Sequence, residues 1–208
     1  MRTNGFQSPH NAMQISTWIL LPALIFHFAI FVTPTLPIWL SIPFTILFGA
    51  VAIASIYYTY VTTKTDSMDE RLYEHLSGKP HPNAAKRDAE KAKRRTSITK
   101  QMTSKKSNAT ADDTHEADED DAESEAEVKY CWVCQTEVHV HSMHCKYCDK
   151  CVSHFDHHCM WLNTCIGAEN YGTFFKSVWS LTLLTSVHLI ALILFFIGYF
   201  TESWNVRG

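Results

Sequence analysis

All seven cysteines of this 208-residue chain, Cys131, Cys134, Cys145, Cys148, Cys151, Cys159 and Cys165, fall between Tyr130 and Phe175, together with His139, His141, His144, His154, His157 and His158. The spacing is tight: Cys131-x2-Cys134, then His144-Cys145-x2-Cys148-x2-Cys151, then Asp156-His157-His158-Cys159-x5-Cys165. A two-residue gap suits a metal knuckle, because the turn aims both sulfurs at one ion, whereas a disulfide across such a gap is strained. Thiolate plus imidazole is the ligand set of zinc or of iron–sulfur centres, and zinc is the expected ion. A closed tetrahedral site takes four ligands, so six cysteines and two histidines fill two structural sites. One thiol is left over.

Cys159 is the expected spare, since it alone directly follows an acid and two imidazoles. A neighbouring imidazole, oriented by a carboxylate, is the usual device for making thiolate at neutral pH. Adjacent residues point different ways, so one of His157 and His158 is free to serve a zinc while the other serves the sulfur. Asp156 then fixes the tautomer of the catalytic histidine. Spacing leaves open whether the eight ligands pair sequentially or in an interleaved order.

The run formed by Cys131, Cys134, His144, Cys145, Cys148, Cys151, Asp156 to Cys159, Cys165, Asn170 and Phe174 resembles the DHHC-type protein S-acyltransferases, or palmitoyltransferases. The resemblance implies that Cys131, Cys134, His144 and Cys151 hold one zinc and that Cys145, Cys148, His158 and Cys165 hold the other. It implies a catalytic group of Asp156, His157 and Cys159. The chain departs from the family pattern at Gln135 to Met143, which lacks a basic residue and a proline common there, and at Met160, where proline often follows the motif cysteine. Trp161, Asn163 and Gly167 fit the pattern.

Positioning such a site falls to the apolar blocks on either side. Ile15 to Thr63 contains no Asp, Glu, Lys or Arg, room for two helices of the ~20 residues that a ~30 Å bilayer core demands. They are expected at Ile15 to Val32 and Ile38 to Thr62, with Pro34 and Pro37 in the turn and with Pro22 and Pro43 kinking the spans. A secretory signal peptide fits the first block poorly: its positive region is a lone Arg2 and the second block follows at once. Ser177 to Thr201, again uncharged, predicts a third span at Val178 to Phe200, anchored by Trp179, Tyr199 and Trp204. His27 and His188 within the spans are read as packed residues hydrogen-bonded to a neighbouring helix. The fold class is therefore mainly α, a polytopic membrane protein with a small cytosolic cysteine-rich domain holding two zinc ions.

Sixteen of the 18 Lys and Arg lie between Lys64 and Lys176, which puts the long middle segment in the cytosol, where thiolates also stay reduced. The expected division is a tail at 1–14, a helical hairpin at 15–63, a charged and largely disordered segment at 64–128, the cysteine-rich domain at 129–176, a span at 177–201 and a non-cytosolic tail at 202–208. Within the charged segment, Lys86 to Lys106 carries nine basic residues and Asp112 to Glu127 ten acidic ones, too few apolar residues for a core apart from a short helix near Ala84 to Arg95. The basic run is read as solvated tether, with contact to anionic lipid as the competing reading. No aromatics are interleaved for base stacking, which argues against nucleic acid. No internal repeat is evident.

The family-like reading gives a two-step transfer of a long-chain acyl group, palmitoyl in type, from acyl-coenzyme A through a Cys159 thioester to cysteines of membrane-apposed proteins. Tyr171, Phe174 and Phe175 join the cluster to the third span, and Asn170 is read as a turn or helix-capping residue supporting the site. Asn163 and Trp161 are read as packing residues, and His139, His141 and His154 as surplus to the ligands. Lys146, Lys150 and Lys176 are read as solvated, with coenzyme A phosphates as the competing role. The organelle is open among Golgi, endoplasmic reticulum and plasma membrane, and so is any accessory subunit. Two other readings compete: a membrane-anchored zinc interaction module of RING type, and a truncated, inactive acyltransferase. The latter is suggested because the family usually has four spans followed by a Thr-Thr-x-Glu segment, whereas this chain looks like a fragment that stops after its third.

Overall fold

The computed structural model describes residues 1–82, 85, 89, 92, 93, 96, 97 and 127–201. In chain order the elements are α1 (Ala12–His27), α2 (Ile38–Lys64), α3 (Glu70–Ser77), β1 (Val128–Cys131), β2 (Thr136–His139), β3 (Met143–Cys145), β4 (Lys150–Val152), β5 (His157–Cys159), β6 (Thr164–Ile166) and α4 (Tyr171–Phe200). They fall into two compact units, one of Met1–Met68 with Met143–Gly208 and one of Asp69–Ser142.

The first unit holds three helices long and apolar enough to cross a membrane: Ala12–Thr35, Ile38–Lys64 and Tyr171–Phe200. α1 starts where Asn11 turns its side-chain oxygen onto the Gln14 amide at 2.9 Å, satisfying one of the amides that a helix start leaves open. Past α1 the chain runs through a π-helical turn at Phe28–Val32 and a 3-10 turn at Thr33–Thr35, where Pro34 cannot donate and Pro37 opens α2. The third helix begins at Tyr171, earlier than the expected Val178, so the amphipathic Tyr171–Ser177 stretch is helical as well.

The spans pack through Phe28, Val32, Phe48, Val51, Ala52, Leu184, Val187 and Ala191. Phe28 stacks on Phe48 with centroids 3.8 Å apart. Small and hydroxylated residues let the backbones of α2 and α4 approach, and Thr59 and Ser177 hydroxyls meet at 2.8 Å. Outward faces stay apolar, as at Ile46 and Ile53. His27 and His188 do pack together, with rings 5.0 Å apart, but the expected hydrogen bond is not made by His188, whose Nδ1 has no partner.

Two hairpins complete this unit. β3 pairs antiparallel with β4 and β5 with β6. Lys150, expected to be solvated, is instead buried and paired with Asp66 just beyond α2. A charge taken from water needs such a partner. Ser67 donates to the Cys165 carbonyl at 2.9 Å, so the segment after α2 is tied to both hairpins.

The second unit packs α3 with the hairpin β1–β2. Its hub is Asp69, fully buried. One carboxylate oxygen accepts from the Arg71 and Leu72 amides that start α3, and the other from the His139 amide and the Ser142 hydroxyl. Gly78 ends α3 in the left-handed region, at φ 64°. Of the short helix expected near Ala84 to Arg95, only Ala85, Ala89, Ala92 and Lys93 are described, all helical; the acidic run Asp112 to Glu127 lies outside the described residues except for Glu127.

Candidate active site and metal centre

The three hairpins are built alike. Cross-strand pairs Cys131 with Thr136, Cys145 with Lys150 and Cys159 with Thr164 close them, and the leading cysteines recur every 14 residues, at 131, 145 and 159. In each turn the last residue has positive φ: Gln135 at 52°, Asp149 at 54° and Asn163 at 53°. The expectation of no internal repeat is therefore corrected. The repeat hides in the sequence because its marker residues change: the turn ends in Cys134, Cys148 and then Leu162, and the residue before each leading cysteine is Tyr130, His144 and then His158.

The turn of the second hairpin and the strands of the third make one ligand set. Cys145, Cys148, His158 and Cys165 present donor atoms within 4.8 Å of one another. His158 Nδ1 lies 3.4 Å from Cys148 Sγ, 3.6 Å from Cys165 Sγ and 3.8 Å from Cys145 Sγ. Zinc bonds of ~2.3 Å to sulfur and ~2.0 Å to nitrogen in a tetrahedron give S···N edges of about 3.5 Å, so the donors fit zinc. The charges fit too. Hydrogen bonds from Cys148 and Cys165 push the Cys145 thiol far down, whereas those with Cys145 and Cys148 hold the Cys165 proton. Burial works against charging His158, yet its bonds to Cys145 and Cys148 carry it up to about 9. Four donors crowded this way satisfy one another poorly as protonated groups, and a cation in their midst resolves the conflict. Tyr147, which the sequence reading passed over, covers the His158 ring, with centroids 4.9 Å apart; its position between two ligand cysteines is the signal that would have found it.

The other four sequence-assigned ligands lie on the remaining halves of the repeat. Cys131 and Cys134 bracket the turn of the first hairpin, where the Cys134 amide sits 3.5 Å from Cys131 Sγ. His144 and Cys151 are cross-strand partners in the second. No disulfide joins any of the seven cysteines. His139, His141 and His154 stand outside the set around His158.

Strand alternation separates the two motif histidines. Successive side chains of a strand point to opposite faces, so His158 enters the metal set while His157 and Cys159 share the other face and line one cavity. His157 Nδ1 lies 3.1 Å from Asp156 Oδ2, and its ring meets the edge of Phe174 at 5.3 Å. The backbone turn faces the Cys159 sulfur with the amides of Leu162 and Trp161. Burial dominates and pushes the Cys159 thiol up, since Leu162, Ile166 and Phe174 pack around it. His157 and Cys159 are thus brought to one cavity without a hydrogen bond between them.

That cavity, about 430 Å³, reaches from Cys159 and His157 to Leu20, Leu24 and Leu181 of the spans, within the usual range for a small-molecule site. A larger one of about 680 Å³ adjoins it through Thr17, Leu21, Thr59, Trp161 and Leu162 but does not touch Cys159. Of the two, the smaller is the one that Cys159 and His157 line. Asn170 stands at the start of α4, where its side chain makes no capping bond and takes the other expected role, closing the turn before the helix. It accepts from the Gly167 amide and donates to the Cys165 and Thr62 carbonyls, joining β6 to α2.

Residues 124–207 match the family described as DHHC palmitoyltransferase. Similar curated proteins include palmitoyltransferase ZDHHC9 of Homo sapiens, 45% identical over 58 residues, which are 28% of this chain and 16% of the relative. Palmitoyltransferase erf2 of Schizosaccharomyces pombe is 44% identical over 73 residues, 35% of this chain and 19% of the relative. Palmitoyltransferase ZDHHC18-A of Danio rerio is 44% identical over 59 residues, 28% and 13% respectively. The chain spans less than a fifth of the length of these relatives. That match, the three membrane-length helices among the described residues and the Cys/His cluster make this a helical membrane protein with a cysteine-rich metal-binding region.

Proposed function

We propose that the protein is a protein S-acyltransferase that carries a long-chain acyl group, palmitoyl in type, on Cys159. One observation carries the reading: His157 and Cys159 share the face of β5 that opens into an apolar cavity among the spans, while His158 turns away to the metal set. A nucleophile there meets a fatty thioester at the boundary between lipid and water.

His157, its Nδ1 held by Asp156, takes the Cys159 proton through Nε2. The thiolate adds to the thioester carbonyl, the bond to the coenzyme A sulfur breaks, and that sulfur leaves with a proton returned by the imidazole. The acyl chain lies in the cavity and the nucleotide stays in water. In the second step the thiol of a membrane-apposed protein loses its proton to the same imidazole and attacks the enzyme thioester, freeing Cys159. The Trp161 and Leu162 amides lower the cost of charge on the sulfur, against the burial that raises it. Lys146 and Lys176, both exposed, are available to the phosphates of coenzyme A.

The metal is structural in this reading: with four protein ligands no position is left for water or substrate. The 14-residue repeat supports the second zinc, because moving the set Cys145, Cys148, His158 and Cys165 back by one repeat gives Cys131, Cys134, His144 and Cys151. The basic residues Lys64, Arg71 and Lys176 near the helix ends support a cytosolic cysteine-rich domain in an endomembrane or plasma membrane.

Incubation with an alkyne-tagged palmitoyl-coenzyme A tests the reading. Hydroxylamine-sensitive label is expected on the wild type and not on Cys159→Ser. Equal label on both, or none on zinc-replete wild type, overturns it.

A further inference from the structure

The residues ahead of α1 carry no apolar pattern, yet they are laid against the nucleophile's loop. The Arg2 amide donates to the Cys148 carbonyl at 2.8 Å, and its guanidinium reaches the Tyr147 carbonyl at 2.7 Å and Asn163 Oδ1 at 2.7 Å. Asn11 donates to the same Asn163 oxygen at 3.2 Å, and Asn163 donates to the Pro9 carbonyl at 3.1 Å. Gly5 is pinned by Thr63 at 2.8 Å and by the buried amide of Gln14 at 2.6 Å. A Cβ on Gly5 would lie 2.1 Å from the Leu162 carbonyl oxygen, so only glycine admits this approach.

The contacts of Arg2, Pro9 and Asn11 and the close approach of Gly5 converge on Leu162 and Asn163 or on the neighbouring metal turn, while Thr63 and Gln14 hold Gly5 in place. Asn163 is buried with φ 53°, a left-handed conformation that asparagine tolerates better than most L residues, and its side chain is bonded to Arg2, Pro9 and Asn11. The turn it closes also supplies the Trp161 and Leu162 amides that face the Cys159 sulfur. A shift of this turn moves those amides relative to the sulfur.

We propose that residues 1–11 are a strap that fixes the turn Met160–Asn163 and so aims the Cys159 sulfur, which makes Arg2, Gly5 and Asn11 positioning residues for thioester formation. The inference rests on the transferase reading. Acylation and loop order are separate measurements, so the two fail separately.

The test uses the full chain, alkyne-tagged palmitoyl-coenzyme A and four variants. Asn11→Asp keeps the oxygen that caps α1 and removes the donor to Asn163. Gly5→Ala pushes a methyl against Leu162. Arg2→Ala removes the guanidinium, and Arg2→Lys returns its charge. Each of the first three is expected to slow acylation at saturating donor by about tenfold to a hundredfold, the size of a small misplacement of reacting groups. Zinc content and the half-saturating donor concentration stay at wild-type values, and Arg2→Lys recovers part of the rate. Hydrogen exchange at the Trp161 and Leu162 amides accelerates in the same variants, which is read with or without acyl transfer. Wild-type rate and exchange in Gly5→Ala and Asn11→Asp overturn the proposal. Faster exchange at an unchanged rate overturns the positioning role, and slowing accompanied by zinc loss in Asn11→Asp overturns it in favour of a purely structural one. If the wild type takes no label, the transferase reading fails, and the exchange data alone decide whether the strap holds the turn.

Discussion

In the hairpin β3–β4 the turn carries Cys145 and Cys148, and both sulfurs face the same ligand set; in β5–β6 an equivalent turn carries Cys159 and Leu162. The backbones match down to the positive φ of Asp149 and Asn163. What differs is that Leu162 removes the second sulfur, and that the chain after β6 enters α4 rather than another hairpin. A lone knuckle sulfur has no closed site to join when the positions one repeat after His158 and Cys165 hold Gly172 and Trp179. It keeps the amide neighbours of a knuckle, gains an apolar lining from Leu162, Ile166 and Phe174, and meets His157 across a cavity. A structural metal turn, with one sulfur deleted and a membrane helix appended, becomes a place for a nucleophile.

The largest expected effect comes from breaking the closed member of the pair. Cys165→Ala leaves three donors, and because zinc binding of about 10–16 kcal/mol is also folding energy, elemental analysis should find zinc lost and proteolysis should open residues 143–166. Exchanging the roles of the two imidazoles comes next. His157→Ala is expected to slow acylation by about a hundredfold to ten-thousandfold with zinc retained, whereas His158→Ala releases metal; zinc lost from the former and kept by the latter would reverse the assignment.

Protonation separates the two turns as well. Burial holds the Cys159 thiol above its ordinary range, so its thiolate fraction should climb about tenfold per pH unit through neutrality. Iodoacetamide alkylation of Cys159 should follow that slope; a plateau near neutrality would show the sulfur already ionised. The smallest effect sharpens the comparison directly. Leu162→Cys restores the missing knuckle sulfur, and acylation of that variant should fall severalfold on adding zinc, with wild type unaffected.

The spans were legible because long uncharged runs have few alternatives, whereas the residues alone left open which of His157 and His158 faces the cysteine ligands, because no strand was evident there to order their faces. The start of α4 at Tyr171 was not legible either, since Gly172 and Lys176 interrupt the apolar run. Helix α3 was missed inside a charged stretch although Asp69 and Gly78 mark its two ends. Lys150 was read as solvated because its partner Asp66 lies far off in sequence. The strap was invisible for the same reason: residues 1–11 have no periodic pattern, and their contacts are with Tyr147, Cys148, Leu162 and Asn163.

The central claim is that the Cys159 sulfur is spared by the metal and carries the acyl group. Zinc content and alkyne-palmitoyl label measured on one preparation each of wild type and Cys159→Ser test it together. The account expects equal zinc in both and hydroxylamine-sensitive label only on the wild type. Zinc lost with Cys159, or label persisting without it, would contradict it.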